Sequence, residues 1–343
     1  MKKNISLPYK SPAIFLLIAL VIFSSCTKNT NVTPAVTKIS PDAGAGNDVI
    51  TLTGSGLQHI QSAVLDNGNV PIALNTNFNT SSAVIFRVPA AANVGDQHIV
   101  FTNTSGYQFS VPFTVLAIPT LTSAFPVDWE AGNTVTITGN YLESTSHVSL
   151  TGTSDTAMIL SASATQLVLK MPASLAATTK LTITNNAGSS TTSFSLINMD
   201  QQLKFYTEDY GPAMQDWSWS TSARSTDFAV SGVSSLKEKF GAGGGQGLSF
   251  HWDNTITTAN YQYLSFYVKG GSADNVIKVS PDAIVSGTGS SSPDIPVPSG
   301  VWTYVTVSMA LFSGVTCQRF NFQITGPTTD QTLYFDNVIL VKQ

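Results

Sequence analysis

One stretch of this chain is written twice. Gly46-Asn47-Asp48-Val49-Ile50-Thr51-Leu52-Thr53-Gly54-Ser55-Gly56-Leu57 returns as Gly132-Asn133-Thr134-Val135-Thr136-Ile137-Thr138-Gly139-Asn140-Tyr141-Leu142. Pro34 and Pro41 precede the first copy as Pro119 and Pro126 precede the second. Later landmarks pair too: Pro89 with Pro172, and Gly106 with Gly188. The offsets, 85 residues at Gly54/Gly139, 83 at the prolines and 82 at the later glycines, are whole domains repeated rather than solenoid turns. Within each copy, short runs such as Val135–Thr138 and Leu167–Met171 alternate apolar and polar residues and are separated by Gly, Asn, Pro and Ser. Alternation puts every second side chain on one sheet face, and β-branched residues favour strands, so each copy reads as a β-sandwich of about seven strands.

The pattern of two prolines followed by Gly-Asn-x-Val-x-Ile-x-Gly-x-x-Leu resembles the immunoglobulin-like IPT/TIG domain. The resemblance spans 34–117 and 118–199 and implies two immunoglobulin-like β-sandwiches, which in such proteins commonly serve as rigid spacers. Trp129, in a turn of the second copy, reads as a hydrophobic plug at the end of the sandwich.

The chain begins with Lys2, Lys3 and Lys10, an apolar run from Ala13 to Phe23, and then Ser24, Ser25 and Cys26. The run is too short for a spanning helix, which needs about 20 residues, and matches a secretory signal peptide. Phe23-Ser24-Ser25-Cys26 resembles the bacterial lipobox, with Phe23 where leucine is usual. The resemblance implies that 1–25 is removed, that Cys26 is acylated and anchors the chain in a lipid bilayer, and that 26–33 is a tether. Cys317 then has no partner for a disulfide, and its apolar neighbours mark it as a buried, inert thiol. Without the three leader lysines, 13 basic residues stand against 20 acidic ones. A mildly acidic chain with no basic cluster excludes nucleic acid as partner.

From about residue 200 the texture changes, and 200–343 becomes rich in Trp and Tyr. Strands are legible at 247–252, 263–268, 276–280, 302–307, 320–324 and 332–341, which suits a jelly roll. The opening Phe205-Tyr206 … Asp209-Tyr210, the run Trp302–Val307 and the ending Leu333–Val338 resemble jelly-roll carbohydrate-binding modules of the galactose-binding-like class. The whole order (lipobox, IPT/TIG repeats, this module) resembles the surface glycan-binding proteins of Bacteroidota-type polysaccharide-utilisation systems. It implies an all-β, outer-membrane, lipid-anchored protein that binds a polysaccharide or oligosaccharide at the cell surface, beside other outer-membrane glycan-uptake proteins. Surface-exposed members often carry acidic residues after the lipidated cysteine. Thr27-Lys28-Asn29 has none, which leaves the periplasmic face open.

Aromatic rings stack on the C–H faces of a pyranose, while Asp, Asn, Gln or Arg bond its hydroxyls. Trp217 and Trp219 flank Ser218, so in a strand both rings point to one face, as a platform or as core filling. Asp216 and Arg224, close in sequence, are candidates for the hydroxyls. Trp252 alternates with Leu248 and Phe250, which favours the core, yet ends its run beside Asp253 and Asn254. Tyr261 and Tyr263 complete the carbohydrate-binding candidates, Tyr263 in phase with Tyr267 rather than with Leu264 and Phe266. Asp336 interrupts the apolar run 333–341, where a carboxylate must be exposed, paired or bound to a cation. In the resembling modules an aspartate here helps hold a structural calcium, which names Glu208, Asp209 and Asp336 as ligands.

Nothing in the chain reads as catalytic. Its four glutamates, Glu130, Glu143, Glu208 and Glu238, form no paired motif, and its four histidines have no metal-ligand spacing. No cofactor is required. The alternatives are a protein-binding adhesin or scaffold on the same sandwiches and, further off, a glycan-active enzyme.

Overall fold

The computed structural model describes residues 33–283, 291–312 and 314–343; the leader and Cys26 lie outside them. The described chain is all-β, with short 3-10 turns beside its strands. Among the described residues no helix is long and apolar enough to cross a membrane. The chain divides into two compact units, at Val115/Leu116.

The first unit is a sandwich. Ala35–Ser40, Val49–Ser55 and Ala83–Arg87 form one sheet; Ala43–Gly44, Gln108–Val115, Gly95–Asn103, Ile60–Leu65 and Val70–Ile72 form the other. The alternation does what it implies: Ile50 and Leu52 turn inward with Val84 and Phe86, against Ile99, Phe101 and Phe113. In the second copy Val135, Ile137, Leu167 and Leu169 take the same places. The repeated glycine has a steric reason. A Cβ on Gly54 would collide with the Ala35 carbonyl, and one on Gly139 with the Thr120 carbonyl, each where the first strand of its copy slips register. Only glycine lets two backbones come that close. Trp129 is fully buried in the second core, as the plug reading expected.

The second unit holds the second sandwich and the jelly roll together. The jelly roll's front sheet runs Met214–Asp216, Gly247–Thr257, Thr316–Ile324, Asn275–Ala283, Ile295–Val297. Its back sheet runs Thr221–Ser225, Ser235–Phe240, Gln331–Lys342, Tyr261–Lys269, Trp302–Ser308, with Leu203–Tyr206 also paired to Gln331–Lys342. All six strands legible in the sequence are present. Five were missed; Met214–Asp216 and Ile295–Val297 are too short to show a period, and Ser235–Phe240 hides behind its charges. Phe205, Phe250, Phe266, Phe320, Phe322 and Phe335 fill the space between the sheets. Cys317 is buried among them, and burial pushes its thiol up to about 12, as an inert cysteine requires. Glu238 also points inward, fully buried and bonded by the hydroxyls of Ser220 and Ser222. Burial raises its carboxyl to about 7.

The second sandwich is more than a spacer, because it covers part of the outer face of the back sheet. Ile197 and Met199 pack on Ile339 and Val341, with Tyr263 and Tyr304 at the margin. Phe125 meets Tyr267 edge-to-face at 5.7 Å, and the Val127 N–H donates to the Tyr267 hydroxyl at 2.8 Å. The Asn337 amide donates to Asp128 at 2.7 Å, and both residues are completely buried. Removal from water pushes the Asp128 carboxyl up to about 8. Lys204 bridges Glu130 at 2.6 Å and Asp200 at 2.8 Å across the same seam.

Candidate functional site

Antiparallel pairing sorts the front sheet into an inner and an outer face. Register aligns Met214 with Trp252, and Asp216 with Phe250, on one side; Gln215 with His251 and then Arg319 lies on the other. The first side is the core and the second is open. Beyond Asp216 the regular strand ends, but the pairing does not. The Trp217 N–H donates to the Ser249 carbonyl at 3.0 Å and the Trp219 N–H to the Gly247 carbonyl at 3.0 Å. Trp217 and Trp219 therefore keep strand phase and both stand on the open side, 47% and 41% exposed.

Each indole is held flat by a different device. Trp217 lies on the His251 imidazole, ring centres 3.7 Å apart and planes 5° from parallel. Its Nε1 donates to the Gln215 side-chain Oε1 at 2.9 Å, and the Gln215 Nε2 donates in turn to Asp253 at 2.6 Å. Trp219 lies over Gly247, where any Cβ would come within 2.5 Å of the ring, and its Nε1 donates to the Gly245 carbonyl at 3.0 Å. Both indole N–H groups are thus satisfied by protein, and the ring faces are what remain. The Arg319 guanidinium sits 5.8 Å from the Trp217 ring and pairs with Asp282. Asn321 lies two residues along the same strand and accepts from the Ser249 hydroxyl at 2.8 Å. The result is a shallow shelf with two flat rings rimmed by amide, carboxylate and guanidinium groups.

The other five carbohydrate-binding candidates do not join this shelf. Asp216 faces the opposite side and caps its own turn by accepting from the Ser218 N–H at 2.9 Å. Arg224 is on the back sheet, where it donates to the Glu208 carbonyl at 2.8 Å and to Ser234 at 2.9 Å. Trp252 packs against the core, since it shares a face with Leu248 and Phe250; Tyr261 packs there too, from the back sheet. Tyr263 faces outward as its phase implied, but at the seam with the second sandwich. His251, Gln215, Arg319 and Asn321 are not among the residues the sequence singled out, and Asp253 enters there only as a neighbour of Trp252. The signal was there: Ser249 and His251 alternate with Leu248 and Phe250, and Arg319 and Asn321 with Phe320 and Phe322.

The three residues named for calcium do not fit a cation. Asp336 is buried, one oxygen accepting from the Val230 N–H at 2.7 Å and the other from the Asn337 N–H at 2.9 Å. Glu208 accepts from the Val233 N–H at 2.8 Å and the Ser234 hydroxyl at 3.0 Å, and Asp209 from the Tyr210 N–H at 2.8 Å. Both oxygens of Asp336 and of Glu208 and one of Asp209 already accept hydrogen bonds, whereas calcium needs six to eight converging oxygens. Among the described residues no group of three His, Cys, Asp or Glu side chains gathers to hold a metal. Buried and uncompensated by charge, Asp336 is pushed up to about 7.

The family model described as IPT/TIG domain matches residues 119–196. No curated protein matches the chain. Among solved structures it is similar to a surface glycan-binding protein, PbSGBP-B, from Prevotella bryantii (16% identity, TM-score 0.40, 90% of this chain and 99% of that one). It is also similar to SGBP-B from a complex xyloglucan utilization locus in Bacteroides uniformis (15%, 0.43, 91% and 100%). A third is the Bacteroides ovatus mixed-linkage glucan utilization locus SGBP-B in complex with a mixed-linkage heptasaccharide (14%, 0.31, 90% and 76%).

Proposed function

We propose that this chain is a non-catalytic glycan-binding lipoprotein, anchored through an acylated Cys26, that captures a polysaccharide on the front sheet of its jelly roll. The observation that carries the reading is the pair of exposed indoles, Trp217 and Trp219, laid flat with their N–H groups already bonded. Such rings offer no polar edge to satisfy and no cavity to fill. They offer flat π-faces, which suit the C–H faces of successive sugar rings. The surrounding Gln215, Asp253, Asn321 and Arg319 offer hydroxyl partners beside the two rings. The two carboxylates at the rim of the shelf are each engaged by a neighbour, Asp253 by Gln215 and Asp282 by Arg319, which favours capture over cleavage by a free carboxylate pair. An outer-membrane location, with other glycan-uptake proteins as neighbours, follows from the anchor and the domain order.

The test is retention of the full mature protein on a panel of immobilised glucans, xylans and mannans, with analysis of soluble products. Retention without product release, weakened by replacing both indoles with alanine, is the expected result. Released oligosaccharide would make the protein an enzyme. Absence of retention on every polysaccharide would favour the adhesin reading.

A further inference from the structure

The outer face of the back sheet is only partly covered by the second sandwich. At its margin, Val127 and Ile197 of the sandwich face Tyr263 and Tyr304 of the jelly roll across a cleft of about 480 Å³. The register explains why these groups meet. Tyr263 is opposite Ser308 and Tyr304 opposite Tyr267, all on the outward side, while Leu264, Phe266, Val305 and Val307 point to the core. Both tyrosines are half-buried, so each ring keeps a free part. The exposed side chains of Gln262, Thr306 and Ser308 line the rest of the jelly-roll wall, and Ser195 completes the sandwich wall. A second depression of about 510 Å³ shares Tyr304, Thr306 and Ser308 and continues along the Trp302–Ser308 strand towards Ile295 and Pro296.

We propose that this seam cleft is a second binding site, for a neutral oligosaccharide, on the face of the jelly roll opposite the indole shelf. No charged side chain lines the cleft, so neither an anionic nor a cationic ligand has a counter-charge there. The lining instead alternates aromatic surface with hydroxyl and amide groups, and its volume lies within the roughly 300–1,000 Å³ of small-molecule sites. Burial raises the hydroxyls of Tyr263 and Tyr304 above the usual tyrosine range, so both stay protonated and can donate as well as accept at any physiological pH. The continuation along the strand, whose one charged lining residue, Asp294, pairs with Lys278 at 3.2 Å, gives room for several sugar rings. Because two domains supply the walls, a bound ligand also ties the sandwich to the jelly roll. The two sites lie on the outer faces of opposite sheets that themselves stack about 10 Å apart, so one short oligosaccharide cannot occupy both. A long glycan, or two glycans, would be held at two points, which raises retention on polymer above retention on fragments. The identity of the ligand class rests on the proposed function; the cleft itself does not.

The experiment is calorimetric titration of the full mature protein with cellohexaose, xylohexaose and mannohexaose. Four forms are compared: unaltered, Trp217→Ala/Trp219→Ala, Ser308→Trp to fill the cleft, and the two combined. Gln262→Trp, which fills the cleft from another exposed position, stands in if Ser308→Trp does not fold by circular dichroism. The expected result is two equivalents bound by the unaltered protein, one by each single-site form and none by the combination. A single equivalent that vanishes with the indoles and ignores cleft filling overturns the second site and leaves the shelf standing. Binding that survives loss of the indoles but not cleft filling supports the cleft and sinks the shelf. No binding of any of the three oligosaccharides overturns the cleft proposal along with the glycan reading.

Discussion

The His251 imidazole forms the floor beneath the Trp217 indole, 3.7 Å away and within 5° of parallel, so a residue from the middle of one strand sets the tilt of a ring on its neighbour. The ring is therefore oriented before any ligand arrives, and little side-chain freedom is lost on binding.

Replacing either indole should weaken binding without unfolding the jelly roll. Trp217→Ala and Trp219→Ala should each cost about 1–3 kcal/mol of affinity, by analogy with stacking of nucleic-acid bases on aromatic side chains. Melting temperatures should move little, because both rings are substantially exposed and leave no sealed cavity. Trp252→Ala is the contrast: a ring packed against the core should cost several kcal/mol of stability, about 3–5 if the site does not collapse. Calorimetric melting alongside glycan retention separates the two behaviours.

Gly247→Ala should act on the ligand face from below. The new methyl group would lie within 2.5 Å of the Trp219 ring and must lift it off the sheet. Glycan affinity should fall about as far as in Trp219→Ala, with circular dichroism of the backbone unchanged. Unaltered affinity would mean that the ring's resting position is irrelevant to binding.

Stability should rise as pH falls from 8 towards 4. Asp128, Glu238 and Asp336 have folded-state values raised by burial to about 8, 7 and 7. Unfolded, each ionises near pH 4, so between pH 4 and these values the unfolded state is the one that gains by releasing protons. The contribution is complete below pH 4 and is lost progressively as pH rises to about 8. Asp128→Asn keeps a carbonyl oxygen for Asn337 and removes the titration, so it should flatten the upper part of the profile. Melting temperatures from pH 4 to 9 test this, and a slope unchanged in the variant would exclude Asp128 as a contributor.

Truncations should distinguish the two sandwiches. A chain starting at Leu116 keeps the whole second unit and should melt as that unit does in the full protein. A chain starting at residue 200 exposes Ile339 and Val341 and strands the buried Asn337 amide without Asp128. It should melt lower or aggregate, so the second sandwich cannot be deleted as an inert stalk.

Cys26→Ala should release the protein from the membrane fraction into the soluble one. A variant that still sediments with membranes, while monodisperse after extraction, would disprove the lipid anchor.

Local pattern was enough to read the repeats, the all-β class and the longest strands, because period-2 alternation and glycine at a close backbone approach are properties of neighbouring residues. Alternation also states which residues share a face: Trp217 with Trp219, Trp252 with Leu248, Tyr263 with Tyr267. It does not state what covers that face. The front sheet's inner side is sealed by the back sheet and its outer side is open, so Trp252 is core while Trp219 is surface. The back sheet is covered by the front sheet on one side and, around Tyr267, by the second sandwich on the other, so Tyr267 is buried although its phase points outward. Asp336 and Glu208 likewise meet N–H and O–H donors from a loop more than a hundred residues and more than twenty residues away respectively, a pairing no local spacing encodes. The physical reason is that burial belongs to pairs of surfaces, and the partners of these surfaces come from distant sequence and, at the seam, from another domain.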